Sequence, residues 1–196
     1  MKTKYLDLVE QTFDFPTDEF KVIENELYWN DINMMDIIEQ YGTPLRVTYL
    51  PAISKKIQNA RRIFNIAMAK LDYKGEYFYA YCTKSNHFSY VLAETLKNNV
   101  GIETSSAFDI NIIEKLYDQG LLPKDRFIIC NGFKRKEYID NICRLVNNGF
   151  ENVIPVIDNK NELFEYRFKK NAKVKLGIRI AAEEEPTFEF YTSRLG

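Results

Sequence analysis

The sequence has few of the cysteines and histidines that form disulfides or bind metals in small proteins, and it has almost no net charge. Its 196 residues include three cysteines, one histidine and eight glycines, and 27 basic side chains nearly balance 28 acidic ones. The cysteines, Cys82, Cys130 and Cys143, are odd in number and show no Cys-x-x-Cys spacing. This pattern predicts reduced thiols, with no disulfide framework and no metal site. A net charge of −1 with scattered basic residues predicts no nucleic-acid partner.

Long apolar runs are also missing. No segment approaches the ~20 consecutive apolar residues that span a bilayer. The opening segment MKTKYLDLVEQTFDF has no apolar core of a signal peptide. We therefore expect a soluble cytoplasmic protein with no membrane partner. A chain of this size buries roughly 70% of the surface that its unfolded form exposes, so it can fold without a metal or a disulfide.

What the sequence does contain, from residue 77 onward, is a repeat of short apolar strands, most of them followed by a helical stretch. The predicted strands are 77–82, 101–103, 127–130, 152–157 and 175–180. They begin about 25 residues apart, a period that is typical of βα units in a parallel sheet. We therefore predict an α/β protein.

Two architectures use such units, the open doubly wound sheet and the (β/α)8 barrel. The sequence has no GxGxxG or GxxxxGK[ST] motif after any strand, which argues against a nucleotide-binding open sheet. A barrel is favoured because its chemistry lies at the carboxyl ends of the strands. Those ends carry, in order, Lys84, Glu103, Asn131, Asp158 and Arg179. Since a complete barrel takes roughly 250 residues, we expect a barrel truncated after about five βα units.

The first 50 residues follow no such repeat, and we interpret 1–50 as an N-terminal lead-in before the barrel portion, 51–196. Within it, strand-like pieces at 26–29 and 45–49 flank a short predicted helix near 35–41.

Several residues mark where helices begin and end. Pro51 suits a first helical position, and apolar residues then recur every three or four positions from Ile53 to Leu71, which predicts an amphipathic helix with one buried stripe. Ser106, with Asp109 three residues later, resembles a capping box. Two glycines are expected to end helices of the repeat, Gly120 and Gly149.

Lys84 is the first candidate for chemistry. Strand alternation places it on the same side as Ala80 and Cys82, so it would rise from the barrel floor into the mouth. Partial desolvation there would favour the neutral amine, which can attack a carbonyl and form a Schiff base. The alternative is a lysine that is simply solvated at a strand end.

Arg179 is the second candidate. It shares its face with Gly177, which leaves room beside a guanidinium that suits a phenolate, carboxylate or phosphate oxygen. The alternative is a structural ion pair with Glu103 or Asp158.

Three other features have two readings each. Glu103 could orient the lysine, or it could cap the helix that follows. His87, expected in the first turn of the helix after Lys84, could contact a ligand at the mouth or be a surface residue. The acidic run 183–185 could attract a cationic substrate or be a solvated loop.

Six segments together resemble motifs of the alanine-racemase-like (fold type III) pyridoxal-phosphate decarboxylases, in the same order. They are YGTPL at 41–45, YAYCTKSN at 79–86, GIETSS at 101–106, NGFK at 131–134, IDNKNEL at 157–163, and KLGIRIA at 175–181 followed by SRLG at 193–196. This family includes the ornithine, diaminopimelate and arginine decarboxylases. The residues of these motifs are most similar to those of the bacterial arginine decarboxylases.

The resemblance implies a function and residue roles. It implies a lyase of polyamine biosynthesis that binds pyridoxal 5′-phosphate, decarboxylates a basic amino acid and forms a homodimer. Lys84 would form the internal aldimine, Glu103 would lie near the cofactor and the lysine, and Arg179 would contact the phenolic oxygen of the pyridoxal ring. His87 is a further candidate for cofactor binding, and residues 1–50 would form part of the family's C-terminal β-domain.

The resemblance leaves alternatives open. They are a diaminopimelate or ornithine decarboxylase, an amino-acid racemase on the same barrel, and a non-catalytic protein that binds the cofactor. Glu103 replaces the family's usual aspartate, and the family's later elements, including its Gly-rich phosphate loop, have no counterpart in these 196 residues. We therefore do not expect this chain alone to form the complete site.

Overall fold

The computed structural model describes residues 19–180. The chain divides into two compact units, Met1–Thr48 and Tyr49–Gly196. Among the described residues, no helix is long and apolar enough to cross a membrane.

The first unit contains an antiparallel three-stranded meander. Strands β1 (Phe20–Ile23), β2 (Glu26–Trp29) and β3 (Ile32–Asn33) pair in sequence order. Each connection is two residues long, and both residues of each turn have positive φ: Glu24 and Asn25, then Asn30 and Asp31. Two consecutive residues with positive φ are typical of the tight hairpin turns whose twist matches that of the strands.

A short helix, α1 (Met34–Tyr41), follows the meander. It begins at Met34 because the side chain of Asn33 caps it by accepting a hydrogen bond from the amide of Met35. The predicted strand at 45–49 is wrong. Residues 45–48 are exposed and irregular, since no described strand pairs with them. A strand needs a neighbour that accepts its ladder hydrogen bonds, and local residue type alone does not supply one.

The second unit begins with a long helix, α2 (Pro51–Lys70), which has Pro51 at its first position as predicted. The predicted buried stripe is wrong over most of its length. Ile57 is buried, but Phe64 and Leu71 are exposed. The helix is held against the next one at its amino-terminal half, where Ser54 donates a hydrogen bond to Glu94.

Five parallel strands follow in the order of the sequence. They are β4 (Ala80–Cys82), β5 (Gly101–Thr104), β6 (Ile128–Cys130), β7 (Val153–Ile157) and β8 (Gly177–Ile178). The connections carry α3 (Ser89–Leu96), α4 (Ala107–Asp118), α5 (Lys136–Asn147) and a short 3-10 helix (Lys160–Phe164). The two edge strands, β4 and β8, are shorter than predicted.

Among the described residues of the second unit, helices cover one face of this sheet and leave the other face uncovered. In β7 the residues alternate strictly between buried and half-buried, and Ile102 and Ile128 are fully buried next to half-buried Glu103 and Ile129. The core lies between the buried face and the helices, where each enclosed Ile or Leu contributes ~1.5–3 kcal/mol of burial free energy. Sequential strand order with helices on one face is the arrangement of a barrel, whereas a doubly wound sheet reverses its order and carries helices on both faces.

Candidate functional site

The predicted polar residues lie together at the carboxyl edge of the parallel sheet. Glu103 is inside β5, while Asn131, Asp158 and Arg179 each follow directly after a strand, and Lys84 lies in the turn after β4. The strands are in register, with Cys82 beside Glu103 and Val156 beside Gly177. Parallel pairing places paired residues on the same face, so the uncovered face carries this polar edge.

Lys84 is exposed in this structure. The residue before it, Thr83, is fully buried and continues the ladder, because its amide donates to the carbonyl of Glu103 over 3.0 Å. The chain turns directly after Thr83, and the turn is closed by the Ser85 hydroxyl, which donates to the carbonyl of Cys82. The described residues therefore do not provide the partial desolvation that the sequence suggested for Lys84.

Glu103 is held by its neighbour strand. The side-chain amide of Asn131 donates to Oε1 of Glu103 over 3.1 Å, and Oδ1 of Asn131 accepts the amide of Gly132. The alternative role of Glu103 as a helix cap does not hold. The following helix is capped by Ser106 and Asp109, whose carboxylate accepts the amide of Ser105.

Arg179 forms an ion pair with Asp158, with 3.9 Å between Nη1 and Oδ1. Of the two ion-pair partners considered for Arg179, the structure thus brings Asp158 to it. Both side chains remain about one-third exposed, at 33% and 28%, so the attraction is screened by solvent and contributes little stability. The pair places a guanidinium and a carboxylate side by side at the edge, where both remain accessible.

His87 lies in the loop before α3, not in the first turn of that helix as predicted. The helix begins two residues later because the Asn86 side chain accepts the amide of Phe88 and fixes the loop in an extended form. The ring of His87 lies 6.1 Å from that of Phe108 and 6.4 Å from that of Phe88. Both phenylalanines are exposed, so His87 belongs to an aromatic group beside the turn of Lys84.

Sequence reasoning assigned no role to Lys134 and Glu162, which the structure buries just behind this edge. Their side chains are 0% and 3% exposed, with 3.4 Å between Nζ and Oε2. Lys134 also donates to the carbonyls of Gly132 and Val156. Buried charges persist only where they are paired and hydrogen-bonded, as these are. The available signal was their presence in two of the family-like motifs, NGFK and IDNKNEL.

A second buried polar group lies on the helix side of the sheet. The hydroxyls of Thr104 and Tyr138 are 2.8 Å apart, next to Cys130. Burial raises the pKa of the Cys130 thiol to about 12, and burial also raises the pKa of Tyr138. Both groups therefore stay protonated at neutral pH, and Cys130 is not a nucleophile.

Two predicted features, the acidic run 183–185 and the SRLG segment at 193–196, lie outside the described residues.

Comparison with known proteins gives relatives named arginine decarboxylase. The chain is 24% identical over 174 residues to the biosynthetic arginine decarboxylase of Bacteroides thetaiotaomicron, covering 85% of this chain and 25% of the relative. It is 26% identical over 143 residues to arginine decarboxylase 2 of Arabidopsis thaliana, covering 69% and 20%. The chain thus spans about a quarter or less of the length of these relatives. No protein-family model matches it.

Solved structures share the fold. The biosynthetic arginine decarboxylase of Campylobacter jejuni matches with a TM-score of 0.69 and 24% identity, over 85% of this chain and 30% of that one. A diaminopimelate decarboxylase from M. jannaschi matches with a TM-score of 0.59 and 23% identity, over 76% and 32%. These neighbours are TIM-barrel decarboxylases, so the predicted fold is confirmed: the chain forms part of a (β/α)8 barrel.

Proposed function

We propose that this chain is the N-terminal part of a pyridoxal-phosphate-dependent amino-acid decarboxylase that acts on arginine. The observation that carries the proposal is the polar edge, where Lys84, the Glu103–Asn131 pair and the Asp158–Arg179 pair lie at the carboxyl ends of consecutive parallel strands. The arginine decarboxylases among its relatives and structural neighbours support the choice of arginine.

The side chains at the edge fit the chemistry of the cofactor. Its aldehyde needs a primary amine to form a Schiff base, and the amine of Lys84 is exposed to solvent. Its phenolic oxygen carries negative charge that a guanidinium can pair with, and Arg179 lies at the same edge. When bound, the pyridine ring is an electron sink for the carbanion that loss of carbon dioxide leaves.

The protein's own part is binding and orientation. Lys84 would bind the cofactor covalently through its neutral amine, and Glu103, fixed by Asn131, would supply a carboxylate on the neighbouring strand. Arg179 would neutralise the phenolic oxygen. His87, with its aromatic neighbours, would flank the cofactor on the side of α3 and α4.

The proposal extends to the complete protein. Residues 1–50 would contribute to a β-domain, 51–196 would form the first part of the barrel, and two chains would assemble as a cytoplasmic homodimer in polyamine biosynthesis. A diaminopimelate decarboxylase is the second candidate, because a protein of that name shares the fold at a TM-score of 0.59.

The test is to find where the cofactor attaches. The complete protein is incubated with pyridoxal phosphate, reduced with borohydride, digested and analysed by mass spectrometry. We expect a pyridoxyl group on Lys84 and none in Lys84→Ala. Lys136→Ala, which removes an exposed lysine at the start of α5, is the matched control and should label like the wild type. A label spread over surface lysines, or none, would contradict the proposal.

The substrate is then tested by release of carbon dioxide from arginine, ornithine and diaminopimelate. We expect arginine to be used best, and Lys84→Ala to release none from any of them. Loss of optical activity without release of carbon dioxide would indicate a racemase. Binding of the cofactor without either reaction would indicate a non-catalytic protein.

A further inference from the structure

The polar edge has two halves, the Glu103–Asn131 pair and the Asp158–Arg179 pair. The buried pair Lys134–Glu162 lies between them. Lys134 donates to the carbonyl of Gly132 over 2.8 Å and to the carbonyl of Val156, so its ammonium connects the loop after β6 with strand β7. Since the side chains are 0% and 3% exposed, solvent does not screen these interactions as it does at the surface.

Glu162 collects hydrogen bonds from three donors. Oε2 accepts from Lys134 and from the backbone amide of Asp158, each over 3.4 Å. Oε1 accepts from the side-chain amide of Asn159 over 3.3 Å. The carboxylate thereby fixes the backbone at the end of β7, where the side chain of Asp158 turns toward Arg179.

The pair hydrogen-bonds to the backbone at or next to each half of the edge. On one side, Gly132 is the residue after Asn131, whose side chain holds Glu103. On the other side, Asp158 pairs with Arg179. A change in the position of either buried charge would therefore move one half of the edge relative to the other.

We propose that Lys134 and Glu162 are positioning residues that set the spacing between the Glu103–Asn131 pair and the Asp158–Arg179 pair. This inference rests on the proposed function, because the spacing matters only if both pairs act on one ligand. The two residues do not touch that ligand, and they act through Asn131 and Asp158.

A purely structural pair would behave differently in a double-mutant cycle. Removing one buried charge leaves the other without a partner and destabilises the fold. Replacing both by apolar side chains of similar size is often neutral for stability. If the pair only holds the fold together, Lys134→Met/Glu162→Leu restores both stability and ligand binding. If it positions the edge, the double variant restores stability alone.

The experiment uses the complete protein with pyridoxal phosphate as the probe. Unfolding in urea measures stability, absorbance titration measures the dissociation constant, and hydrogen exchange reports on the amide of Asp158. We expect the double variant to unfold near the wild-type midpoint, to bind the cofactor about tenfold more weakly, as supporting partners of a site typically do, and to exchange Asp158 faster. Phe133→Ala, an exposed change in the same loop, should bind like the wild type.

Glu162→Gln keeps the inference testable if the double variant does not fold. The three groups that hydrogen-bond to Glu162 are all donors, so a glutamine amide, which has only one oxygen, cannot satisfy all of them. We expect this variant to fold, with a weakened affinity for pyridoxal phosphate and faster exchange at Asp158.

The possible outcomes separate the two proposals. A wild-type protein that labels on Lys84, with variants that fold and bind pyridoxal phosphate equally well, would overturn the inference alone. A wild-type protein that takes up no label would overturn the proposed function and the inference with it.

Discussion

At the scale of single residues, the structure divides the polar side chains into an accessible group and a buried group. Lys84 and Arg179 lie where a ligand can reach them, whereas Thr104, Cys130 and Tyr138 form a protonated group behind the sheet. The buried group is expected to make stability depend on pH.

We expect the buried thiol of Cys130 to make the free energy of unfolding decrease at alkaline pH. Its pKa is raised to about 12 in the folded protein, from an ordinary value of 9.0, so the unfolded chain releases this proton first. The stabilisation is complete below pH 9 and is lost as the pH rises from there to about 12. We expect the free energy of unfolding to fall by roughly 1 kcal/mol between pH 8 and pH 10 from this group.

The measurement is urea unfolding at several pH values for the wild type and for Cys130→Ala. The variant loses core packing at every pH, so the slope with pH is compared and not the absolute stability. If the unfolding free energy of Cys130→Ala falls with pH as steeply as that of the wild type, Cys130 is not the source of the pH dependence. Tyr138, whose pKa is also raised by burial, adds its own contribution at the upper end of the range.

At the scale of elements, the start of α4 depends on one hydroxyl. Ser106 accepts the amide of Asp109 over 3.3 Å, and Asp109 is buried beneath the turn. Ser106→Ala should lower the free energy of unfolding by ~1 kcal/mol, because the first turn loses its cap. Ser89→Ala is the matched control, since α3 begins without a side-chain cap, and it should change stability by only a few tenths of a kcal/mol. Equal effects in urea unfolding would contradict this role of Ser106.

The elements also show what the sequence could predict. Strands β5, β6 and β7 lie where their apolar residues indicated, and the cap at Ser106 and the helix-ending Gly120 and Gly149, with φ of +71° and +85°, are as expected. These features depend on local chemistry. The strand at 45–49 and the buried stripe of α2 failed because each needs a partner surface, and no local pattern shows whether that surface exists.

The candidate site shows the same division. The residues at the strand ends could be placed on one edge because parallel strands share a direction. For Arg179 the sequence leaves two partners open, Glu103 and Asp158. It indicates neither of the other pairs, since Asn131 contacts Glu103 across 28 positions of sequence and Lys134 contacts Glu162 across the same distance. The helical position predicted for His87 is wrong because the Asn86 side chain accepts the amide of Phe88 and fixes the loop before α3.

At the scale of the whole molecule, the uncovered face of the parallel sheet is the dominant feature. Ile129, Ile154 and Val156 on this face are only half-buried in the described part of the chain, while Ile128 on the opposite face is fully buried. Because a barrel encloses this face within a ring of strands, the two faces should differ in this chain and become alike in a closed barrel.

Two neighbouring residues of β6 test this difference. In the 196-residue chain, Ile128→Ala should cost ~2–5 kcal/mol of unfolding free energy, and Ile129→Ala clearly less, because its side chain loses fewer contacts. In the complete protein the cost of Ile129→Ala should rise toward that of Ile128→Ala, since further strands would enclose it. Both are measured by urea unfolding. A cost for Ile129→Ala that is the same in the two contexts would mean that nothing else in the protein covers this face.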